Sequence, residues 1–318
     1  MQNWYNTYEP IEQRVETFDG LDYIASYSDL IDAFGSAGSL KAVQDDGATH
    51  YISYGLNEGR TTTFNGLDYI ASYGDLIKAF GADNDAGAYH FIEYGHNEGR
   101  TTTFDGLDYI AGYSDLIKAF GANEQAGAVH YIDYGYNEGR TTTFDGLDYI
   151  ATYPDLIKAF GADNDAGATH FIDYGYNEGR TTTFDGLDYI ASYPDLIKAL
   201  FANNDAGATH FIDYGYNEGR TTTFDGLSYI RDYTDLMNAF GANNDAGASH
   251  YITYGVHEGR SNEFTFHDVS GTFSGAAAVT EYENNFPTTS GFGKNDDAFF
   301  TAYIDYYKTS GGKYLGQA

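Results

Sequence analysis

Histidine is the residue type whose recurrence in this chain most directly suggests chemistry. Six histidines follow one another at intervals of 40 residues: His50, His90, His130, His170, His210 and His250. Imidazole is a common metal ligand, so a row of six raises the hypothesis of repeated metal sites. Neighbouring repeats of a helical stack lie roughly 10 Å apart, however, which is too far for two such histidines to share one ion. We therefore expect structural histidines at the repeat junctions, each bonded to the backbone of a neighbouring repeat.

Arginine recurs at the same interval and supplies much of the positive charge of an acidic chain. The six copies are Arg60, Arg100, Arg140, Arg180, Arg220 and Arg260. A guanidinium at a junction can pair with an acid, such as Asp148 or Asp185 for Arg180, and so tie repeats together. We interpret these arginines as structural residues of the repeat junctions, and the Thr181-Thr182-Thr183 run as a polar linker.

Metal-binding and catalytic motifs are weak throughout. The Asp163-Asn164-Asp165 segment resembles the start of a calcium loop, but Tyr174 stands where a bidentate Glu should close it, and helix capping accounts for these residues. No nucleophile accompanied by a base and no glycine-rich phosphate loop is evident. The sequence therefore predicts no enzyme, no cofactor and no metal site, and any catalytic activity would have to lie in the C-terminal segment.

The elements that position these residues come from an internal repeat. A phenylalanine opens each copy, and the period is 40 residues apart from the first copy, which carries six more: Phe18, Phe64, Phe104, Phe144, Phe184 and Phe224. A fixed period of this size is typical of solenoids, in which one repeat alone cannot bury its apolar face. The predicted fold is an all-α solenoid of six helical repeats spanning residues 18–260.

The fourth repeat shows the predicted local structure. Apolar residues at helical spacing predict a first short helix over residues 145–153, and Pro154 is well placed to begin a second. Gly161 is expected to be a left-handed C-terminal cap, and the Asn164-Asp165 pair an N-cap for a third helix ending at Gly175. Each repeat should thus hold two or three short helices joined by tight connectors.

Three regions depart from the repeat pattern. In the fifth repeat Leu200-Phe201 replaces the Phe-Gly pair, so its second helix should run on or kink. Residues 1–17 are expected to form an N-terminal cap or docking segment, and residues 261–318 a C-terminal segment of mixed structure, serving as a cap, small domain or attachment element. The aromatic residues at these ends are candidate interface residues: Trp4, Tyr5, Phe299, Phe300, Tyr303, Tyr306 and Tyr307.

The charge and composition narrow the classes of partner. A formal net charge of −31 repels phosphate backbones and disfavours nucleic-acid binding. The chain has no cysteine, so disulfides and thiolate metal sites are excluded. The N-terminal sequence has neither the basic nor the apolar region of a signal peptide, and no run is long enough to span a bilayer. If the protein works outside a cell, we expect it to leave by a route that uses no N-terminal signal, or inside a particle.

The repeat frame resembles a known short helical repeat. Residues 149–161 and 170–180 read YIATYPDLIKAFG and HFIDYGYNEGR. This frame is similar to tyrosine-rich repeats in large secreted or surface proteins of cyanobacteria and proteobacteria, which often lie beside calcium-binding or adhesive modules. The resemblance covers about residues 18–260 and implies no catalytic residues.

These observations predict a non-catalytic structural or adhesive protein displayed at the cell surface or outside the cell. The repeats would act as a spacer and the unrepeated ends as attachment sites for a protein partner or a second copy. Alternatives are a phage virion appendage or decoration protein, or the subunit of a self-assembling filament. A calcium-binding module and an enzyme are the weaker alternatives.

Overall fold

The computed structural model describes residues 18–35, 38–261, 265–268 and 271–274, together with residues 301, 304–305, 307–309 and 311 near the C-terminus. The chain is an all-α solenoid built from six repeats, as the sequence predicts. We name the repeats R1 to R6 in chain order: 18–63, 64–103, 104–143, 144–183, 184–223 and 224–261. Two compact parts are distinguished, Met1–Asp145 with Ala168–Gly179, and Gly146–Gly167 with Arg180–Ala318.

Each repeat begins with a short helix that is almost wholly buried. These first helices are Gly20–Ala25, Gly66–Ala71, Gly106–Ala111, Gly146–Thr152, Gly186–Ala191 and Gly226–Arg231. In R2, Asn65 caps the helix by accepting hydrogen bonds from the amides of Leu67 and Asp68. Tyr69 and Ile70 on this helix are fully buried. The predicted helix of R4 is therefore confirmed, and the first helices supply more of the core than the second or the third helices do.

The second helix follows after one extended tyrosine. These helices are Ser28–Phe34, Gly74–Phe80, Ser114–Phe120, Pro154–Phe160, Pro194–Leu200 and Thr234–Phe240. Pro154 begins its helix as predicted, because proline lacks the amide that a first helical turn leaves without a partner.

The third helix is longer than the sequence suggests. Its α-helical parts are Leu40–His50, Asn84–His90, Glu124–His130, Asn164–His170, Asn204–His210 and Asn244–His250. Each continues as a π-helical turn: Tyr51–Gly55, Phe91–Gly95, Tyr131–Gly135, Phe171–Gly175, Phe211–Gly215 and Tyr251–Gly255. Each closes with Leu56–Glu58, His96–Glu98, Tyr136–Glu138, Tyr176–Glu178, Tyr216–Glu218 or Val256–Glu258.

Two predictions about the third helix of R4 are wrong. Gly175 does not end it, because the π-helical turn carries the chain to a left-handed cap at Gly179. The equivalent glycine of R2, Gly95, shows what this position does: it lets the helix backbone pack closely against a buried tyrosine. A Cβ at Gly95 would lie 2.2 Å from the hydroxyl oxygen of Tyr69. The N-cap is Asp163, which accepts from the amide of Ala166, and not the Asn164-Asp165 pair.

The prediction for the fifth repeat is also wrong. Its second helix neither runs on nor kinks, but ends at Leu200, one residue before Phe201. Phe201 takes φ 54° and ψ −157°, close to the φ 61° and ψ −151° of its counterpart Gly161. Among the described residues it alone combines a side chain with a positive φ.

The C-terminal segment contributes a hairpin and a helical segment. Strands Thr265–Asp268 and Gly271–Ser274 pair antiparallel, which agrees with the strand predicted after the repeats. Ile304 and Tyr307 are buried in the same apolar cluster as residues of R5 and R6. Tyr307 is therefore a core residue and not an available interface residue, because it helps to cover R6. The other candidate interface residues, Trp4, Tyr5, Phe299, Phe300, Tyr303 and Tyr306, lie outside the residues whose side chains are described.

Candidate functional site

The histidines form hydrogen bonds with buried tyrosines. In R2, the hydroxyl oxygen of Tyr69 lies 3.0 Å from Nδ1 of His90, and the same pair has the same length in R1, R3, R5 and R6. Burial raises the pKa of Tyr69 to about 12 and lowers the pKa of His90. Both shifts favour the neutral form of the group.

The prediction that each histidine bonds the backbone of a neighbouring repeat is therefore wrong for these five repeats. The third helix returns along the first helix of its own repeat, which brings the histidine to that repeat's own tyrosine side chain. Within the described residues, no group of three or more His, Cys, Asp or Glu side chains is arranged to hold a metal ion.

The arginines fasten each linker to its own repeat. In R2, the guanidinium of Arg100 bonds Asp75 at 3.0 Å and Glu98 at 2.7 Å, and lies 4.8 Å from the ring centroid of Tyr73. The hydroxyl of Tyr73 donates to the carbonyl of Thr101 and accepts from its amide, both at 2.9 Å. This group of residues holds the polar linker against the start of the second helix.

The predicted acid partners of Arg180 need correction. Arg180 bonds Asp155 at 3.0 Å, an acid at the start of its own repeat's second helix. Asp148 is instead buried and accepts from the side-chain amide of Asn204. The arginines thus stabilise the repeat itself, while other residues join one repeat to the next.

An asparagine at the start of the third helix makes the polar contact between repeats. Asn84 of R2 donates to both Asp19 and Asp22 of R1, each at 3.0 Å, and its oxygen accepts from the amide of Leu67 in its own repeat. Asp22 also accepts from the amide of Gly66 across the same junction. The R5–R6 junction repeats this arrangement, with Asn244 donating to Asp185 and Asp188 at 2.8 and 3.1 Å.

The R2–R3 junction exchanges the donor and the acceptor. R2 carries Asn65 where the other five repeats carry Asp, and R3 carries Glu124 where R2, R4, R5 and R6 carry Asn. The amide of Asn65 donates to the carboxylate of Glu124 at 3.3 Å. Two exceptions to the repeat pattern are thus a matched pair, and this junction is chemically distinct from the R1–R2 and R5–R6 junctions.

Each of the two outermost repeats lacks one of these junction residues. R1 carries Gln44 at the asparagine position, and its amide group bonds Leu21 and Phe18 of R1 itself. R6 carries Ser228 where the other repeats place the acceptor aspartate. In R1 the side-chain amide that could donate to a preceding repeat therefore bonds R1 itself. In R6 the carboxylate that could accept from a following repeat is absent from the position of Ser228.

Burial at the R1–R2 junction changes the acidity of a carboxyl group. Burial, and secondarily the charge of Asp19, raises the pKa of Asp22 to about 7. In R5, burial and then the charge of Asp185 raise the pKa of Asp188 well above its ordinary value. A carboxyl whose pKa is raised on folding makes the folded state bind protons more tightly than the unfolded state. Its contribution to stability is therefore largest in acid and is lost as the pH rises towards 7.

We expect the Asp22→Asn variant to flatten the pH dependence of stability. Asparagine retains an oxygen that can accept from Gly66 but does not ionise. Between about pH 5 and pH 8, wild type should lose about 1–2 kcal/mol more free energy of unfolding than the variant. Urea unfolding of both proteins at the two pH values measures this difference. Parallel pH profiles would show that Asp22 does not titrate in this range.

One tyrosine in each repeat is exposed at an equivalent position. Tyr54, Tyr94, Tyr134, Tyr174, Tyr214 and Tyr254 have 57–61% of their surface accessible. Each ring lies 5.4–5.6 Å from the ring of its repeat's histidine. The aromatic residues therefore divide into a buried set in the core and an exposed set that recurs with the repeat period.

Phe201 is strained as well as exposed. Its φ and ψ fall in a region that glycine occupies freely and other residues rarely adopt, at a cost of about 1–3 kcal/mol. Its ring gains little by packing, since 71% of the residue is accessible. The ring lines an open groove of about 790 Å³ between R5 and R6.

We expect Phe201→Gly to raise the free energy of unfolding by about 1–2 kcal/mol, because glycine relieves the strain. Phe201→Ala is the matched control, since alanine removes the ring but keeps a side chain at the same positive φ. Its stability should stay near that of wild type. Chemical denaturation decides between these outcomes, and equal stability of the two variants would rule out backbone strain as the cause.

Comparison with known proteins gives no assignment: the chain matches no family profile, no curated protein and no solved structure. Within the described residues, no helix has both the length and the apolar character needed to cross a membrane.

Proposed function

We propose that this protein is a non-catalytic structural or adhesive repeat protein displayed outside the cell, in which the repeats act as a spacer of set length. The observation that carries the proposal is the repeated junction, in which Asn84 and Asn244 bond paired aspartates of the preceding repeat. Residues that could perform chemistry, including His90 and Arg100, are engaged within their repeats. Such a chain uses its side chains to hold repeats in order.

The outermost repeats favour a fixed array over a filament subunit. End-to-end stacking of chains would require R6 to accept from the R1 of a second copy. Ser228 replaces the acceptor aspartate, and Gln44 bonds its own repeat. A filament joined by these same junction contacts would lack the asparagine donor of R1 and the R6 acceptor equivalent to Asp188, and only Asp225 would remain as an acceptor.

The proposed location rests on the resemblance to repeats of secreted and surface proteins, and on the strong negative charge. The exposed tyrosines, one in each repeat, support an adhesive role, since tyrosine is enriched at recognition surfaces. Attachment to the envelope is assigned to the ends, because their sequences are not copied by the repeats.

Two measurements test this function. Protease added to intact producing cells should remove the protein while a cytosolic marker survives; protection until lysis would contradict the external location. Binding to purified cell envelopes should then be compared for the full chain, a form lacking residues 1–17 and a form lacking residues 144–183. We expect the first deletion to lower binding and the second to leave it nearly unchanged. The reverse result would make the repeats the attachment surface.

A further inference from the structure

The groove between R5 and R6 lies where a tyrosine packs in other junctions. At the R2–R3 junction, Tyr136 lies edge-on to Tyr131, with ring centroids 6.3 Å apart, and its ring is 5.9 Å from the ammonium of Lys78. Tyr176 lies 6.0 Å from the ammonium of Lys118 and 6.4 Å from the ring of Phe171 in the same manner. A tyrosine from the later repeat thus covers a lysine of the earlier one.

R6 carries Val256 at this tyrosine position, and the shorter side chain leaves the groove open. The groups that contact the ring elsewhere are retained. Lys198, equivalent to Lys78, and Tyr251, equivalent to Tyr131, both line the groove. R5 and R6 therefore present the surroundings of a tyrosine ring without supplying the ring.

Phe201 adds a second departure at the same place. R2, R3, R4 and R6 carry glycine at this position, and only R5 places an aromatic ring on the groove. Two differences from R3 and R4 thus converge on one groove: Val256 stands where they carry tyrosine, and Phe201 where they carry glycine. Val256 leaves the groove wider than a tyrosine would. Phe201 adds an exposed aromatic ring to its wall despite an unfavourable backbone conformation.

We propose that this groove binds an aromatic side chain, of tyrosine type, from a basic segment of a partner protein. The ring would pack on Tyr251 and Phe201 and lie over Lys198, as Tyr136 lies over Lys78. Residues 184–260 carry four Lys and Arg against eleven Asp and Glu, so 4 − 11 = −7. This field attracts basic residues beside the aromatic one. It also repels a second copy of the chain, whose net charge is −31.

The test uses the full-length protein and a defined probe, the peptide acetyl-Lys-Gly-Tyr-Gly-Lys amide carrying 3-fluorotyrosine, followed by fluorine NMR. We expect saturable broadening or shift of the fluorine signal. Val256→Tyr, which supplies the ring as in R3, should weaken binding about tenfold or more. Phe201→Gly should weaken it several-fold while the protein stays folded, since glycine is the residue of the other repeats. Thermal unfolding of both variants verifies that they remain folded.

Each alternative outcome overturns part or all of the proposal. No saturable signal with wild type, or equal binding by both variants, would rule out the groove as the site. An otherwise identical peptide with glutamate in place of lysine should bind more weakly, and equal binding would contradict a basic partner. A dimer in sedimentation analysis that Val256→Tyr abolishes would identify a second copy as the occupant and overturn the assignment to a different protein.

Discussion

Asn65→Asp should destabilise the protein by about 2–4 kcal/mol. The new carboxylate would face Glu124 at the half-buried R2–R3 junction, where the amide of Asn65 now donates at 3.3 Å. Two like charges replace a hydrogen bond between two half-buried side chains. The free energy of unfolding from urea denaturation measures the loss.

The double variant Asn65→Asp with Glu124→Asn should recover most of that loss. It recreates the aspartate and asparagine that join R5 to R6, where Asn244 donates to Asp185. Glu124→Asn alone should cost less than Asn65→Asp, because it pairs two neutral amides. A double-mutant cycle gives the coupling energy between the two positions, expected at about 2 kcal/mol. Additive effects would mean that the two residues do not act as a pair.

Gly87→Ala should cost about 3 kcal/mol. A Cβ at Gly87 would lie 2.4 Å from the carbonyl oxygen of Gly66 and 2.9 Å from Cδ1 of Ile70. The first and third helices of R2 touch here through their backbones, so an added methyl group must force them apart. Because this contact orients the third helix, the loss should extend to the adjoining junction.

Gly99→Ala is the matched control for this prediction. Gly99 has φ 70° with nothing near the added methyl group, so alanine meets only the backbone cost of about 1 kcal/mol. Urea denaturation of both variants separates steric conflict from backbone conformation. Equal losses would show that the helix crossing can relax around a methyl group.

The repeat period and the helix starts are predictable from the sequence because they depend on local patterns. Spacing of apolar residues and the placement of Pro154 define two helices without knowledge of the fold. The partners of His90 and Arg100 are not predictable in this way. They depend on which face each helix turns towards its neighbours, and the spacing of one residue type does not encode that face.

The junction pair was visible but not interpretable in the sequence. Asn65 and Glu124 both depart from the repeat pattern, yet they lie 59 residues apart. Only the packing of the third helix of R3 on the first helix of R2 shows that they meet. Phe201 also departs from the repeat pattern, and the pattern alone does not predict the structural effect. The preceding helix keeps its length, and the strain falls on one residue.

The central claim is that the junction residues determine which repeats can be neighbours. The most direct test compares two deletions, each of which removes one repeat of the same length. Removing residues 144–183 places Asp105 of R3 before Asn204 of R5, a matched pair. Removing residues 64–103 places Asp19 and Asp22 of R1 before Glu124 of R3, which confronts like charges. Each deletion removes one whole repeat of 40 residues, so the two forms are compared by the chemistry of the new junction.

Urea denaturation should give the form lacking residues 144–183 the higher free energy of unfolding, by about 2 kcal/mol or more. Adding Glu124→Asn to the form lacking residues 64–103 should remove most of that difference. If the two deletions are equally stable, and Glu124→Asn has no effect in the second, then the repeats stack without regard to these residues. The junctions would not then encode the order of the array.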